Sequence, residues 1–406
     1  KSNKQNPSSF GLPQNVNFCK KCVMSNQKPN SAKEFKHNIS SKKETISFDQ
    51  DGICDGCKAA DEKEKINWKD REEKLFQLLE KYRSKDGSYD CLVPGSGGKD
   101  SAYQAHVLKY KYGMNPLTYT WPPIMYTKYG YENWKNWIEV GGFDNVSFKP
   151  NGQVMKKLTH LAIENIFHPF QTFFFGQKNL APKIAAQMGI PLIFYGENEA
   201  EYGNPIADNT TSLRNKSIYA SENKNDIYIS GLSLKELKES HGFSEKDLKL
   251  FLPATIQEIE KSNIEVHYLG YYLKWTPQEV YYYAVENTGF KPRPHRSQGT
   301  YSKYSSIDDK IDDLHFYTTY IKFGIGRTTY DASQEIRNRH INREEAVALV
   351  KKFDGEFPSR YFDELMQYLN IDPNYFQNEL TDRFRSPHLW EKEIDGNWKL
   401  KKTVFN

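Results

Sequence analysis

The chain has 406 residues, with 56 Lys and Arg against 52 Asp and Glu, and its formal charge of +4 is spread over mixed-sign segments. That balance argues against a nucleic-acid partner, which calls for a concentrated basic patch. Apolar residues make up 37%, no apolar run approaches the roughly 18 residues that span a bilayer, and residues 1–18 lack the apolar core of a secretory signal. Five cysteines do not make a disulfide scaffold in a chain this long, so a reducing cytoplasm is the expected setting.

In chain order, residues 1–17 are polar, with Pro7 and Pro13, and predict a loose tail. Residues 18–65 hold two C-x2-C pairs, Cys19/Cys22 and Cys54/Cys57. Each resembles a knuckle in which one turn directs two thiolates at a metal, and two pairs complete the four-thiolate set of a closed structural zinc site. An iron–sulfur cluster or redox dithiols are the alternatives. Between the pairs, residues 25–47 are rich in Lys, Ser and Asn and read as a long loop with little to offer a core. Ile66, Leu75, Leu78, Leu79 and Tyr82 recur at helical spacing, predicting an amphipathic helix over 66–83.

A strand–helix rhythm follows. Residues 89–94 predict a first strand, 99–112 a helix ended by Gly113, and 117–121 and 145–148 two further strands. A helix over 178–188 is stopped by Gly189, and 190–196 and 266–271 predict strands four and five. Such alternation predicts a mostly parallel sheet covered on both faces. Residues 66–290 therefore form one α/β domain, in which 203–262 break the rhythm and read as an insertion. Residues 291–406 predict a mostly helical region that contributes to the active site, with Asn342 capping a helix and Glu345 completing the box. Cys91 reads as a small apolar core residue rather than a nucleophile.

Between the first strand and its helix stands Ser96-Gly97-Gly98-Lys99-Asp100-Ser101. Glycines let backbone N–H groups approach an anion, and the helix start adds free donors. Ser96 and Ser101 offer hydroxyls to phosphate oxygens, Lys99 adds a cation, and Asp100 is better used on a Mg²⁺ that bridges phosphates. Neither GxxxxGK[ST] nor GxGxxG is present. The S-G-G-x-D-S string resembles the PP-loop, whose enzymes cleave ATP to AMP and pyrophosphate. We therefore expect a Rossmann-like parallel sheet of the adenine nucleotide alpha hydrolase type, with Lys99, Asp100 and Ser101 catalytic.

Four other segments are open between site and structure. Glu197, Asn198, Glu201 and Tyr202, in GENEAEYG after strand four, hold substrate or metal, or belong to a charged surface loop. Lys303 in RPHRSQGTYSKY and Arg327 in KFGIGR either reach ATP phosphates or lie in ordinary loops. Aromatic residues over 119–137 stack on a sugar or base, or, the favoured reading, fill the core.

The order FCKKCVMS, FDQDGICDGC, INWKDREEKL, YRSKDGSYDCLVPGSGGKDS, FFFGQKN, FYGENEAEYG, YLGYYLKW, GTYSKYSSIDDKID and KFGIGRTTYDASQEIRN resembles the N-acetyl sugar amidotransferase family, the WbpG and PseA group of bacterial surface-glycan enzymes. Gly95 stands where that pattern leads one to expect an apolar residue. The resemblance implies that ATP adenylates the acetamido oxygen of an N-acetylated sugar, nucleotide-linked or a nonulosonic acid, and that ammonia then displaces AMP to leave an acetamidino group. It implies a setting in O-antigen lipopolysaccharide or pseudaminic acid synthesis. Lys1 is not the cysteine that an amino-terminal glutaminase needs, and no cysteine sits in a G-x-C-x-G elbow. Ammonia is thus expected from separate glutaminase and cyclase-like subunits resembling imidazole glycerol phosphate synthase. The rival readings are a tRNA-modifying PP-loop enzyme and a zinc-ribbon adaptor without activity.

Overall fold

The computed structural model describes residues 10–30, 33–197, 199–204 and 210–406. Its strands are β1 (Cys91–Pro94), β2 (Pro116–Thr120), β3 (Asp144–Ser147) and β4 (Leu192–Tyr195), a small hairpin β5 (Tyr228–Ile229) and β6 (Leu232–Ser233), then β7 (Glu265–Tyr268), β8 (Trp390–Lys392) and β9 (Trp398–Leu400). Five of them form one sheet in the order β3-β2-β1-β4-β7, every neighbour parallel, with Leu92 opposite Leu117 on one side and Ile193 on the other.

Alternation along these short strands fills two cores. Leu92, Leu117, Tyr119, Ile193 and Val266 join one cluster of buried side chains, while Cys91, Val93, Leu192 and Phe194 join the other. Burial on both faces is what continuous apolar strands require. The five expected strands are present, with one correction: residues 269–272 after β7 turn into a short helix, because Gly270 N–H is drawn to the Gly196 carbonyl at 2.9 Å instead of extending the sheet. The helix after β1 runs over Lys99–His106 and widens into a π turn over Val107–Lys111 before Gly113 at φ +67°.

Order changes direction between β1, the central strand, and its neighbour β4. In an open α/β sheet a crevice opens outside the carboxyl ends of strands at such a switch point. The loop that leaves β1, Gly95–Gly98, and the described residues that follow β4, Glu197 and Glu201–Gly203 among them, therefore lie on opposite sides of one crevice.

Two sequence expectations need adjustment. Phe10 and Leu12 are buried, with Phe10 stacked on Phe384, so the loose stretch does not extend through residue 17; residues 1–9 lie outside the described residues. Residues 25–47 are not a bare loop either. Phe35 and Ile46 are buried in the main core, and Pro29 and Thr45 bridge the segment's two ends. The C-terminal region is helical as expected, including a helix over Arg343–Phe353 whose Asn342 and Glu345 form the reciprocal capping box, but it closes with the β8–β9 hairpin. Tyr119, Trp121 and Trp137 are buried core residues. No helix among the described residues is long and apolar enough to cross a membrane.

Candidate functional site

The crevice at the switch point is a cleft of about 610 Å³. From the loop after β1 it is lined by Ser96, Gly98, Lys99 and Asp100, from the segment after β4 by Glu197, Glu201 and Tyr202, and from the C-terminal region by Arg327, Asp331, Gln334 and Arg337. Asn198 lies outside the described residues. Lys303 is exposed and lines a smaller adjoining cavity of about 270 Å³.

The loop's glycines are dictated by its surroundings. Gly97 has φ +83°, and a Cβ there would fall 2.6 Å from the Trp134 Cα. Gly95 is a glycine because a Cβ would overlap the Ser101 side chain, which explains the departure from an apolar residue. Gly98 is the N-cap of the Lys99–His106 helix and offers no side chain to the first N–H groups, which are left for an external acceptor. Lys99 is buried, and its ammonium lies 2.7 Å from both Asp100 oxygens. Ser101 is not brought to the cleft: its hydroxyl donates to the Gly98 carbonyl at 3.1 Å.

Opposite, Glu197 accepts from Gln334 Nε2 at 3.4 Å. Burial, reinforced by the Asp100 charge and opposed by Lys99, pushes its carboxyl up to about 8. Glu201 pairs with Lys63 at 2.7 Å, and Lys63 also donates to the Trp275 carbonyl at 2.5 Å. Arg327 is held by Asp331 at 2.8 Å and by the Ser306 hydroxyl at 3.3 Å.

The far end of the cleft was not anticipated. Lys28, Glu34, Lys43, His168, His315 and Lys322 line it, together with Phe170, Phe173, Phe174 and Phe316. His168 and His315 stack with centroids 5.2 Å apart, and the Nδ1 atom of each is buried without a hydrogen-bond partner. The one carboxylate of the set, Glu34, reaches His168 at 3.7 Å. Lys322 donates to the Ile166 carbonyl at 3.1 Å. Burial, with Lys43 nearby, holds Lys322 well below the ordinary lysine range. Burial and Lys322 together hold the His315 imidazole near 3. Basic side chains crowded against one another beside aromatic faces form a place whose protonated state a bound oxyanion would favour.

Behind the cleft wall, Cys19, Cys22, Cys54 and Cys57 are fully buried, and their four sulfurs all lie within 4.8 Å of one another. Cys19 and Cys57 are 3.9 Å apart and Cys22 and Cys54 3.7 Å. Four thiolates around a metal at about 2.3 Å have edges of about 3.8 Å, so the cluster fits a tetrahedral ion. Cys19 Sγ accepts from the N–H groups of Lys21, Cys22 and Cys54 at 3.3–3.4 Å. These four cysteines can hold a structural metal.

These features define the class: an α/β protein with a parallel five-stranded sheet, a cleft at its switch point and a four-cysteine centre beside it. Residues 298–404 match the family model described as "LPS biosynthesis protein WbpG-like, C-terminal domain". That stretch contributes Arg327, Asp331, Gln334 and Arg337 to the cleft. No curated protein matches the chain.

Of the residues expected from sequence, Ser96, Gly98, Lys99, Asp100, Glu197, Glu201, Tyr202 and Arg327 share the cleft. Lys63, Gln334 and Arg337 were missed, although Arg327, Asp331, Gln334 and Arg337 follow the three-to-four residue spacing of one helix face. Lys43 and His168 carry no local signal, because the fold alone brings them together.

Proposed function

We propose that the protein is an ATP-dependent amidotransferase that converts the acetamido group of an N-acetylated sugar into an acetamidino group, with release of AMP and pyrophosphate. The observation that carries this reading is the Ser96–Asp100 loop facing Glu197 and Arg327 across one cleft, in a chain whose C-terminal region is WbpG-like. That likeness favours a setting in lipopolysaccharide biosynthesis.

In this reading the amide oxygen attacks the α-phosphorus of ATP, and pyrophosphate leaves into the N–H groups at the start of the Lys99–His106 helix. Lys99 and Arg327 offset its growing charge. Ammonia then adds to the imidate carbon, and collapse expels AMP with the former amide oxygen. Asp100 and Glu197 offer carboxylates to a Mg²⁺ ion, which would supply charge neutralisation on the phosphates. Zinc in the four-cysteine centre would be structural. Full burial of all four thiols supports that role over the accessible pair that sulfur-transferring tRNA enzymes need. The cationic end of the cleft suits the negative group of a nucleotide-linked sugar or a nonulosonic acid. Ammonia would come from separate glutaminase and cyclase-like subunits.

Incubation with ATP, Mg²⁺, ammonium at alkaline pH and a panel of N-acetylated sugars tests the reading. Pyrophosphate release is expected only with an accepted sugar, and Asp100→Ala is expected to abolish it. Release that is independent of sugar, or unchanged in Asp100→Ala, would refute the assignment.

A further inference from the structure

The four-cysteine centre and the cleft are joined by one side chain. Arg337 closes the helix over Arg327–Arg337, whose cleft-facing residues Arg327, Asp331 and Gln334 fall on the same helical face. Its guanidinium is the last group on that face. It donates to Cys22 Sγ at 3.7 Å, to Cys54 Sγ at 3.6 Å and, through its other terminal nitrogen, to the Glu201 carbonyl at 3.2 Å. One planar cation thus bridges two metal-ligand sulfurs and the cleft wall, a task suited to the fixed fork of arginine.

The surroundings keep it there. A Cβ on Gly56, inside the second C-x2-C pair, would lie 2.5 Å from the Arg337 Cζ, so the guanidinium rests on that glycine. Gly203, at φ +71°, sits against the same turn, with the Gly56 nitrogen 3.1 Å from where its Cβ would be. The helix that starts after Cys54 ends at Lys63, whose ammonium pairs with the Glu201 carboxylate at 2.7 Å. Backbone and side chain of Glu201 are therefore both tied to the cysteine module. A second arginine, Arg343, donates to the Cys22 and Cys19 carbonyls at 3.1 and 3.4 Å. It braces the first cysteine pair but is not among the residues lining the cleft.

We propose that Arg337 is a positioning residue through which the metal-loaded four-cysteine centre sets the Glu201–Asn204 wall of the cleft. With the ion bound, four thiolates leave the centre net negative and the guanidinium is held on two of them; without it, that anchor weakens and the wall is released. Hydrogen bonds to metal-bound thiolates also tune the metal itself, which provides a signal independent of turnover. The inference does not depend on the amidination reading, since neither ATP nor sugar enters its test.

The experiment compares cobalt(II)-loaded wild type, Arg337→Met, Arg337→Lys and Arg343→Gln by thiolate-to-cobalt absorption and by amide hydrogen exchange over Glu201–Asn204. In Arg337→Met the absorption bands should shift, and exchange should rise about tenfold with the loss of charge-assisted bonds. Metal-stripped wild type should show the same rise. A lysine reaches the sulfurs but not the Glu201 carbonyl as well, so Arg337→Lys should keep the bands and still raise exchange. Arg343→Gln should release the ion faster to a chelator yet keep wild-type exchange when metal-saturated. Wild-type exchange in loaded Arg337→Met, or in loaded Arg337→Lys should the methionine variant not fold, would overturn the proposal. So would equal exchange in Arg343→Gln and Arg337→Met.

Discussion

A carboxyl group buried without a cation against it holds its proton to higher pH, and the wall of the cleft contains such a group in Asp309. Its oxygens accept from the N–H groups of Ile124 at 2.5 Å and of Met125 and Ile311 at 3.1 Å. Burial, aided by Asp308 across a background of these bonds, nevertheless pushes it up to about 7. The other titratable groups facing it are Asp312, whose carboxyl accepts from the Asp309 N–H at 3.2 Å and is itself raised, and Tyr126 and Tyr368, whose phenols are pushed up by burial and by its charge. An acid whose folded value is raised favours the folded state while protonated, so this contribution fades as pH climbs from the ordinary carboxylate range, about 4, to about 7. Asp309→Asn should lower the melting temperature overall, because an amide cannot accept from all three N–H groups. It should also flatten the decline between those pH values. Melting curves across that window check this; a variant profile parallel to wild type would contradict it.

At the scale of elements, the Arg343–Phe353 helix shows how a local signal acts at a distance. Asn342 accepts from Glu345 N–H at 2.9 Å and Glu345 returns the bond to the Asn342 N–H at 2.8 Å. This fixes the first turn, and with it Arg343 on the cysteine carbonyls. Asn342→Ala should cost about 1 kcal/mol and should hasten metal loss to a chelator. Thermal melts and chelator kinetics measure both, and unchanged kinetics would uncouple the cap from the centre. This cap was readable in the sequence, as were the strands, because Cys91–Pro94 and Leu192–Tyr195 are apolar runs bounded by glycine. The loop after β1 was readable for the same reason: Gly97 must adopt positive φ, and only residue type reports that. What stayed hidden depends on tertiary contact. Lys43 belongs to a segment of ordinary composition, and although Lys322 opens the basic KFGIGR string, the cationic end of the cleft exists only once the fold brings the two together. Tyr268 was expected within a longer strand, but the pull of Gly196 on Gly270 acts across the sheet and leaves no mark in local pattern.

Across the whole molecule, three stretches meet at one cleft: the cysteine module, whose Lys63 pairs with Glu201 of the cleft wall, the sheet through Asp100 and Glu197, and the C-terminal helices through Arg327 and Arg337. Lys28, Glu34 and Lys43 bring the segment between the cysteine pairs to the same cavity, so the N-terminal module is part of the site rather than an appendage. The central claim is that the acetamido oxygen becomes an oxygen of AMP. A sugar carrying a heavy-oxygen label in its acetamido group, incubated with ATP and ammonium, decides it by mass spectrometry of the nucleotide released. The account predicts one labelled oxygen in AMP for each amidine formed, with a product one dalton lighter than the unlabelled sugar. Unlabelled AMP, with the label retained in the sugar or passed to water, would contradict it.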